Sequence, residues 1–368
     1  MTIAEVVRVL ESIAPPAYAE EYDNVGLLVG DATQPCRRVL LCIDLTPAVL
    51  AEARRARAQM VMAYHPIIFR PITRVTPATS PIAYQAVRAG LAVYSVHTGY
   101  DAAIGGMNDC LADALGMSPQ RRPLSPTIGQ GQYHVVVFVP PDNRQAVSAA
   151  AFAAGAGIIG NYRECSFAAA GVGTFFGQEG SRPTVGEPGR LEEVPELRLE
   201  LLCPPSRLAE VLLAIRQAHG YEEPAINVCR LTSAPAGVGF GRVGRLEKPV
   251  AMQTLLARLR KVCGVGRVLL AGPGRAKAKP LRTLAVCAGS GHAFLKDAIA
   301  SGADIYVTGE LRHHDALAAS AAGLTVACVG HSNSERLALP TLASQMRESL
   351  PALDVAISQV DRDPFEIV

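Results

Sequence analysis

The chain has 368 residues, of which 49% are hydrophobic and 18% are charged. This length predicts two or more cores, and this composition excludes a mainly disordered protein. The net charge of +2 gives no overall field for a polyanion or an anionic membrane, so a nucleic-acid partner would need a local basic patch.

Targeting and redox signals are weak in this sequence. The nine cysteines are scattered without a C-x-x-C pair, which indicates neither a disulfide framework nor a zinc ribbon. The start, Met1 to Glu11, lacks the pattern of a signal peptide, and the uncharged stretch 145–162 is too weakly apolar for a membrane span. We therefore expect a cytoplasmic protein without a membrane segment.

The first part of the chain alternates helix and strand patterns. Thr2 and Glu5 have the spacing of a capping box, so a helix is predicted before Pro15. Three apolar runs follow, separated by helices that open at Thr46-Pro47 and Ser80-Pro81; the runs are 38–43, 60–63 and 91–96. Such alternation predicts parallel βαβ units.

The middle of the chain has a different pattern. An apolar run, a Pro-Pro pair, a helix and a glycine occur twice, first from Val135 to Gly155 and again from Leu199 to Gly220. This repeat predicts a βαββαβ, ferredoxin-like α+β module. Pro-, Gly- and Ser-rich borders suggest that it is inserted, at residues 125–245, into a discontinuous layered α/β domain of residues 1–124 and 246–368.

The last third again alternates strand and helix patterns, with strands predicted at 284–287, 305–307 and 324–329. Helices are predicted from about His292 and from about Ser332. We therefore expect both ends of the chain to contribute to one α/β layer architecture.

Three histidines come directly after apolar runs typical of strands, namely His65, His97 and His331. Ligands gather at the carboxyl ends of strands, so we expect the three at one edge of a single sheet. Asp101 and Glu335 each follow a histidine by four residues, which puts both groups on one helix face. Imidazole with carboxylate is ordinary ligation for zinc, manganese or iron. A single such histidine is more typical of a hydrogen-bonded loop residue, but three of them with two spaced carboxylates leave both interpretations open.

Two further segments are candidates for chemistry. Glu310, in Thr308-Gly309-Glu310, fits a ligand, a partner of a ligand or a general base, and it also fits a solvated helix start. The loop Ala288-Gly289-Ser290-Gly291 matches neither a P-loop nor a full dinucleotide fingerprint. We interpret that loop as an ordinary βα turn rather than a phosphate cradle.

Several motifs occur in an order typical of one known family. They are EYDNVGLLVG at 21–30, YHPIIF at 64–69, HTGYD at 97–101, TGE at 308–310 and GHSNSE at 330–335. The chain resembles the Nif-three-like dinuclear metal-centre family, whose bacterial members are often labelled GTP cyclohydrolase 1 type 2 homologues. In the middle, the segments GAG, GNY, CSF and YEEPA resemble the ferredoxin-like insert of the longer members, which is similar to P-II and cation-tolerance (CutA-like) proteins; they lie at 155–157, 160–162, 165–167 and 221–225.

The resemblance implies a toroidal homohexamer with one or two divalent ions per chain, zinc, manganese or iron. Carried over position by position, it implies metal ligands at these residues: His65, Asp101, His331 and Glu335, with His97 close by. The resemblance also implies that Glu335 bridges the two ions. We predict that Glu335 and Glu310 are the catalytic residues.

Tyr64 departs from the family pattern, because many bacterial members have a histidine there and so two adjacent histidines before the proline. A neutral phenol must lose its proton to bind a metal well. The resemblance therefore implies that the second ion is held more weakly in this chain.

Two functions are compatible with these residues. The first is a metal-dependent hydrolase that acts on a nucleotide or a phosphate ester. The second is a non-enzymatic metal-binding regulatory or interaction protein whose insert senses a small molecule. Nucleic acid threaded through a ring is disfavoured by the balanced charge, unless arginine and lysine line the hole.

Overall fold

The chain is divided between two units in a computed structural model, which describes residues 1–127, 132–159, 162–231, 237–273 and 279–366. Met1–Gly129 and Ala234–Val368 form the larger unit, and Gln130–Ser233 forms the smaller one. Gly160 and Asn161 of the GNY segment lie outside the described residues. In the described ranges, none of the helices has the length and apolarity needed to span a bilayer.

The secondary-structure elements are numbered in chain order. The first part of the larger unit contains α1 (Ile3–Ile13), β1 (Gly26–Val29), β2 (Arg38–Cys42), α2 (Pro47–Arg55), β3 (Met60–Ala63), α3 (Pro81–Arg88), β4 (Ala92–Ser95), α4 (His97–Ala102), α5 (Met107–Ala114) and β5 (Met117–Pro126). The smaller unit contains β6 (Gln132–Val139), α6 (Arg144–Ala153), β7 (Ser166–Phe176), β8 (Leu191–Cys203), α7 (Leu208–Ala218) and β9 (Ile226–Leu231). The larger unit resumes with β10 (Gly239–Val250), α8 (Met252–Cys263), β11 (Leu269–Ala271), β12 (Leu281–Ser290), α9 (Leu295–Ala300), β13 (Ile305–Glu310), α10 (His313–Ala321), β14 (Thr325–Cys328), α11 (His331–Arg336), α12 (Leu339–Ser349) and β15 (Asp354–Ile357).

Local signals in the sequence set the starts of the first helices. Thr2 and Glu5 form the predicted capping box, in which the Glu5 carboxylate accepts from the Thr2 amide at 2.6 Å. Thr46 caps α2 by accepting from the Val49 amide at 3.3 Å, with Pro47 at the first helical position. These contacts satisfy amides that a helix start would otherwise leave without partners, and the predicted helices are confirmed.

The larger unit contains two sheets rather than one. The five-stranded sheet has the order β1-β4-β3-β2-β15, and the six-stranded sheet has the order β11-β14-β13-β12-β10-β5. The predicted parallel pairing is present in each, between β2, β3 and β4 and between β12, β13 and β14. Our expectation of a single sheet was wrong, because apolar runs indicate buried strands without indicating which strands pair.

The two sheets share a core but keep separate outer layers. Alternate residues of β2, such as Val39 and Leu41, pack into a common core with helices α1, α5, α8 and α12. Leu284 and Val286 of β12, in the second sheet, belong to the same core. The other face of the first sheet packs on α2 and α3, and the other face of the second packs on α9 and α10. The mixed α/β architecture is therefore layered, as the sequence predicts.

The smaller unit is an antiparallel sheet with two helices. Its strand order is β7-β8-β6-β9, and every neighbouring pair is antiparallel. Alternate residues Val135, Val137 and Val139 of β6 are buried in one cluster with apolar residues of α6 and α7. The helices therefore cover one face of this sheet, since side chains of a strand alternate between its faces.

The chain leaves and re-enters the larger unit at neighbouring points of one sheet. β5 and β10 pair as antiparallel strands, with Pro126 opposite Gly239 at their ends. Residues 239–245, expected in the insert, belong instead to β10 of the larger unit. The smaller unit is therefore shorter at both ends than the predicted range 125–245.

Excision of the smaller unit is expected to leave the larger unit folded. Pro126 and Gly239 are register partners, so a short Gly/Ser linker in place of residues 130–233 can join their strands as a hairpin. We predict a soluble protein that retains one cooperative urea transition followed by circular dichroism. A shortened protein without a cooperative transition would show that the two parts share one core.

A buried arginine joins two parts of the larger unit. Arg242 of β10 is 2% exposed and donates to both carboxylate oxygens of Asp109 on α5, at 2.9 and 2.8 Å. It also donates to the carbonyls of Gly239, Gly241 and Ala103, at 2.6, 2.7 and 2.8 Å. Each of its nitrogens therefore has a partner, as a buried guanidinium requires.

This ion pair predicts a pH dependence of stability. Burial raises the pKa of Asp109, but the hydrogen bonds and charge of Arg242 outweigh that effect and hold the pKa below its ordinary value. The stabilising contribution of Asp109 is therefore complete above about pH 4 and is lost as the pH falls through the lower folded-state pKa. Urea unfolding should show that wild type and Asp109→Asn differ most near neutral pH and converge in acid. A constant difference down to acid pH would contradict this.

Candidate metal centre

His65 lies at the end of β3, where the backbone still follows the first sheet. Its amide donates to the Ile43 carbonyl at 3.0 Å, which continues the pairing with β2. Its ring Nδ1 lies 2.9 Å from Asp44 Oδ1, and Asp44 follows β2. Its Nε2 lies 3.2 Å from Glu335 Oε2. The ring is thus held by a neighbouring strand end on one side and points at Glu335 on the other.

His331 and Glu335 come from the second sheet. His331 is the first residue of α11, directly after β14, and its Nε2 lies 3.3 Å from Glu335 Oε1 one turn later. Its Nδ1 lies 3.0 Å from Oε1 of Glu310, the last residue of β13. The four-residue spacing therefore does place imidazole and carboxylate on one helix face.

Three of the predicted ligands meet at metal-binding distance. One ligand atom from each of His65, His331 and Glu335 lies within 4.8 Å of the others. The rings of His65 and His331 have centroids 5.4 Å apart, and Glu335 is 3% exposed. The carboxyl ends of two sheets, rather than the edge of one, supply this group.

His97 and Asp101 lie beside this group but outside it. The His97 ring centroid is 5.3 Å from that of His65, and its Nδ1 lies 2.7 Å from Asp23 Oδ1. His97 has a φ of 28°, an uncommon backbone conformation for a residue with a side chain. Asp101, on α4, accepts a short hydrogen bond from the buried Tyr64 hydroxyl. The Asp101 carboxylate is therefore already engaged by Tyr64.

Each of the three histidines has a carboxylate at Nδ1. Glu310 has this position for His331, Asp44 for His65 and Asp23 for His97. A carboxylate at Nδ1 fixes the ring orientation and leaves Nε2 as the nitrogen available to a metal. The sequence reasoning missed Asp44 and Asp23 as ring partners. The signal for Asp44 was its place directly after a strand, which is the same signal that identified the histidines.

The imidazoles and the carboxylate of the cluster shift one another's pKa. Burial raises the pKa of Glu335, but the imidazoles of His331 and His65 outweigh it and lower the pKa to about 2. Burial lowers the pKa of His65, but the carboxylates of Asp44 and Glu335 raise it to about 10. The Glu335 contact is the main cause that raises the pKa of His331 to about 9. Glu335 is therefore ionised throughout the neutral range.

Asp101 behaves differently from Glu335. Its burial raises its pKa to about 6, which outweighs the hydrogen bond from Tyr64 and the charge of His97. A nearby cation would stabilise the ionised form of this carboxylate, because a positive charge lowers the pKa of a carboxyl group.

Two buried atoms of the cluster support metal binding. His65 Nε2 and Glu335 Oε2 are each buried without a hydrogen-bond partner among the described residues. They are 3.2 Å apart and form an ion pair without the geometry of a hydrogen bond. A set of two imidazole nitrogens and one carboxylate fits zinc, manganese or iron.

The glycine loop makes room for Glu335. Gly289 has a φ of +66°, and a Cβ built there would lie 2.6 Å from Glu335 Oε1. Its amide donates to Ser334 Oγ at 2.8 Å, and the Gly291 amide donates to Thr308 Oγ1 at 3.1 Å. These amides already have partners, so the loop is a βα turn, as we interpret it from the sequence, and its glycine admits the carboxylate.

Tyr64→His is expected to tighten the binding of a second metal ion. The Tyr64 side chain is fully buried beside Asp101, and an imidazole there would offer a neutral nitrogen in place of a phenol. We predict that the second Zn²⁺ binds at least tenfold more tightly than it does to the natural sequence, which corresponds to about 1.4 kcal/mol per tenfold. Calorimetric titration of metal-free protein with Zn²⁺ measures this. Tyr64→Phe is the matched control, since it removes the hydroxyl without adding a nitrogen. Equal, tight binding of two ions to the natural sequence, unchanged in Tyr64→His, would instead make His97 a ligand.

Known proteins resemble this chain over almost its whole length. The model of the family Duf34/NIF3 (NGG1p interacting factor 3) matches residues 1–364. A Halalkalibacterium halodurans protein named "GTP cyclohydrolase 1 type 2 homolog" is 34% identical, over 99% of this chain and 98% of the relative. The Bos taurus "NIF3-like protein 1" is 30% identical, over 100% of this chain and 93% of the relative.

A solved structure agrees with these sequence matches. The crystal structure of a Bacillus cereus protein related to NIF3 is 34% identical in sequence, with a TM-score of 0.76. The match covers 100% of this chain and 99% of the other. Sequence motifs, fold and relatives thus agree, and the chain belongs to the Duf34/NIF3 family.

Proposed function

We propose that the chain is a metal-dependent hydrolase that acts on a nucleotide or a phosphate ester. The observation that carries this proposal is the buried pair His65 Nε2 and Glu335 Oε2, which face each other without hydrogen-bond partners next to His331. The names of the bacterial relatives, "GTP cyclohydrolase 1 type 2 homolog", agree with hydrolytic chemistry on a nucleotide.

The proposed roles follow from the contacts of each side chain. His65, His331 and Glu335 hold a divalent ion, and Asp101 and His97 are the nearest candidates for a second. A divalent ion supplies Lewis-acid polarisation of the substrate and lowers the pKa of water. Glu310 orients His331, and its carboxylate, 55% exposed, is the group we assign to accept a proton from the attacking water.

Two exposed aromatic rings beside the cluster support a nucleotide rather than a simple ester. Phe69 lies with its ring centroid 6.3 Å from that of His97, and Tyr22 lies 6.2 Å from Phe69. The two residues are 45% and 66% exposed. Exposed aromatic faces of this kind stack on nucleobases.

Turnover by metal-loaded protein tests the proposal. A chelator removes the metal from the purified protein, which is then reloaded with Zn²⁺, Mn²⁺ or Fe²⁺. Elemental analysis checks the metal content, and the protein is assayed against nucleoside triphosphates and phosphate monoesters. We expect phosphate release or ring opening with at least one metal and none with the chelated protein. Full metal occupancy without turnover on either substrate class would overturn the hydrolase proposal.

One observation favours the alternative, a non-enzymatic metal-binding protein whose insert senses a small molecule. The smaller unit has a cavity of 270 Å³ between β7 and the segment before β9, lined in part by Arg182, Glu196 and Tyr221. Its order β7-β8-β6-β9 with two helices supports the ferredoxin-like assignment. Thermal unfolding in the presence of a metabolite set tests this: stabilisation lost in Glu196→Gln, without any turnover, would favour the sensor.

The toroidal homohexamer remains part of the proposal, as the resemblance implies. Light scattering coupled to gel filtration tests it directly. A mass six times that of the 38.8 kDa chain is expected, and a monomer at micromolar concentration would refute it.

A further inference from the structure

A second cavity lies on the outer side of His65. It has a volume of 390 Å³ and is walled by His65, Asp44, Thr46, Ile67 and Ile82, with Arg362 and Pro364 of the C-terminal segment. The same imidazole therefore faces Glu335 with one nitrogen and forms part of this wall. A group bound in the cavity would lie next to the metal cluster.

The C-terminal segment that carries Arg362 is fixed at two points. The Asp361 side chain is 1% exposed, and its carboxylate accepts from the Ile43 amide at 2.7 Å and also pairs with Arg336. Asp363 Oδ2 accepts from the Ser332 hydroxyl at 2.9 Å, at the start of α11. Both flanking side chains are thus held by the larger unit, and Arg362 between them lines the cavity.

The guanidinium of Arg362 is free for a ligand. It has no hydrogen bond or ion pair with any of the described residues, although it lines a cavity. The first turn of α2, with its partial positive charge, begins in the same wall at Thr46. The opposing charge is Asp44, whose Oδ1 is bound to His65 Nδ1. The wall therefore combines one unpaired cation with one carboxylate that is already engaged.

We propose that Arg362 is the substrate-binding residue that holds a phosphate group in this cavity while the bond to be hydrolysed lies at the metal cluster. The inference rests on the proposed hydrolase function and names its substrate class, a phosphate-bearing compound. Arginine presents paired donors to phosphate oxygens, whereas a neutral substrate would leave this cation unused. Ile67 and Ile82 form the apolar side of the cavity, against which the carbon part of the substrate packs.

The test is phosphate binding, which does not depend on turnover. Orthophosphate and acetate are titrated calorimetrically into Zn²⁺-loaded protein of verified metal content. We expect orthophosphate to bind at least tenfold tighter than acetate, and Arg362→Gln to weaken orthophosphate at least tenfold. Arg362→Lys should retain part of the affinity, because it keeps a point charge. Arg55→Gln, at the exposed far end of α2, is the matched control and should bind like wild type.

The outcomes separate this inference from the proposed function. Orthophosphate affinity that is unchanged in Arg362→Gln, or acetate binding as tight as orthophosphate, overturns the role of Arg362, whatever the activity. Arg362-dependent orthophosphate binding in a metal-loaded protein that turns over neither nucleotides nor phosphate esters supports the anion site and refutes the hydrolase instead. Elemental analysis shows in each case that the variant still carries its metal.

Discussion

Arg242→Met is expected to lower the free energy of unfolding by about 3–5 kcal/mol, since all the hydrogen bonds of the guanidinium are lost and the buried Asp109 carboxylate keeps only Arg121 and the Gly105 amide as partners. Asp109 would remain 6% exposed, and the carbonyls of Gly239, Gly241 and Ala103 would lose their donor. Methionine fills most of the arginine volume, so the loss is electrostatic rather than a cavity effect. Urea unfolding followed by circular dichroism measures the change.

The controls for this prediction use an exposed pair and a double variant. Arg38 pairs with Asp354 on the surface, with side chains 43% and 50% exposed, so Arg38→Met should cost no more than about 1 kcal/mol. Arg242→Met combined with Asp109→Leu should recover part of the loss, because the buried carboxylate is removed as well and Arg121 keeps its ion pair with Asp113. A loss below about 1 kcal/mol for Arg242→Met alone would contradict the prediction and show that Arg121 and the Gly105 amide are sufficient partners for the carboxylate.

Glu335→Gln is expected to weaken the binding of Zn²⁺ more than a hundredfold, about 2.8 kcal/mol. Glu335 contacts both imidazoles of the cluster and is its one ionised carboxylate at metal-binding distance among the described residues. The amide keeps the shape but loses the charge, and a neutral amide oxygen is a much weaker ligand for zinc. Competition with a chromogenic chelator measures the dissociation constant.

Two further variants show whether the loss of affinity is specific to Glu335. Glu348→Gln changes an exposed glutamate of α12 in the same way and should leave the affinity for Zn²⁺ as it is. Glu310→Gln keeps all three ligands but replaces the charged partner of His331 Nδ1 with a neutral amide, so a loss of about 10- to 100-fold is expected. Equal affinities in wild type and Glu335→Gln would remove Glu335 from the site.

Sequence patterns were sufficient for the local structure and for the proximity of His331 and Glu335. The capping box at Thr2 and the cap at Thr46 act within a few residues, so their helices could be located. His331 and Glu335 are one helical turn apart, and their proximity also followed from spacing. Each of these inferences needed only contacts that are near in sequence.

Long-range partners could not be inferred in this way. β15 joins the first sheet at β2 although the six-stranded sheet separates them in sequence, so strand order was not readable from apolar runs. Asp23 lies 74 positions from His97, and no periodicity links them. The burial of Arg242 was not predicted, because a charged residue in a strand is normally exposed. Only the folded structure shows the five acceptor atoms that surround its guanidinium.

The pairing of β2 with β15 affects how the protein is made. Cys42, at the end of β2, precedes Asp354 of β15 by most of the chain, and the Asp361 carboxylate that binds the Ile43 amide is 318 positions away. During synthesis the apolar strand Arg38–Cys42 is therefore exposed as an open edge until the last part of the chain emerges. A nascent chain of this protein must be kept from pairing with other strands throughout that interval, and the segment 38–42 is where a holding chaperone would be needed.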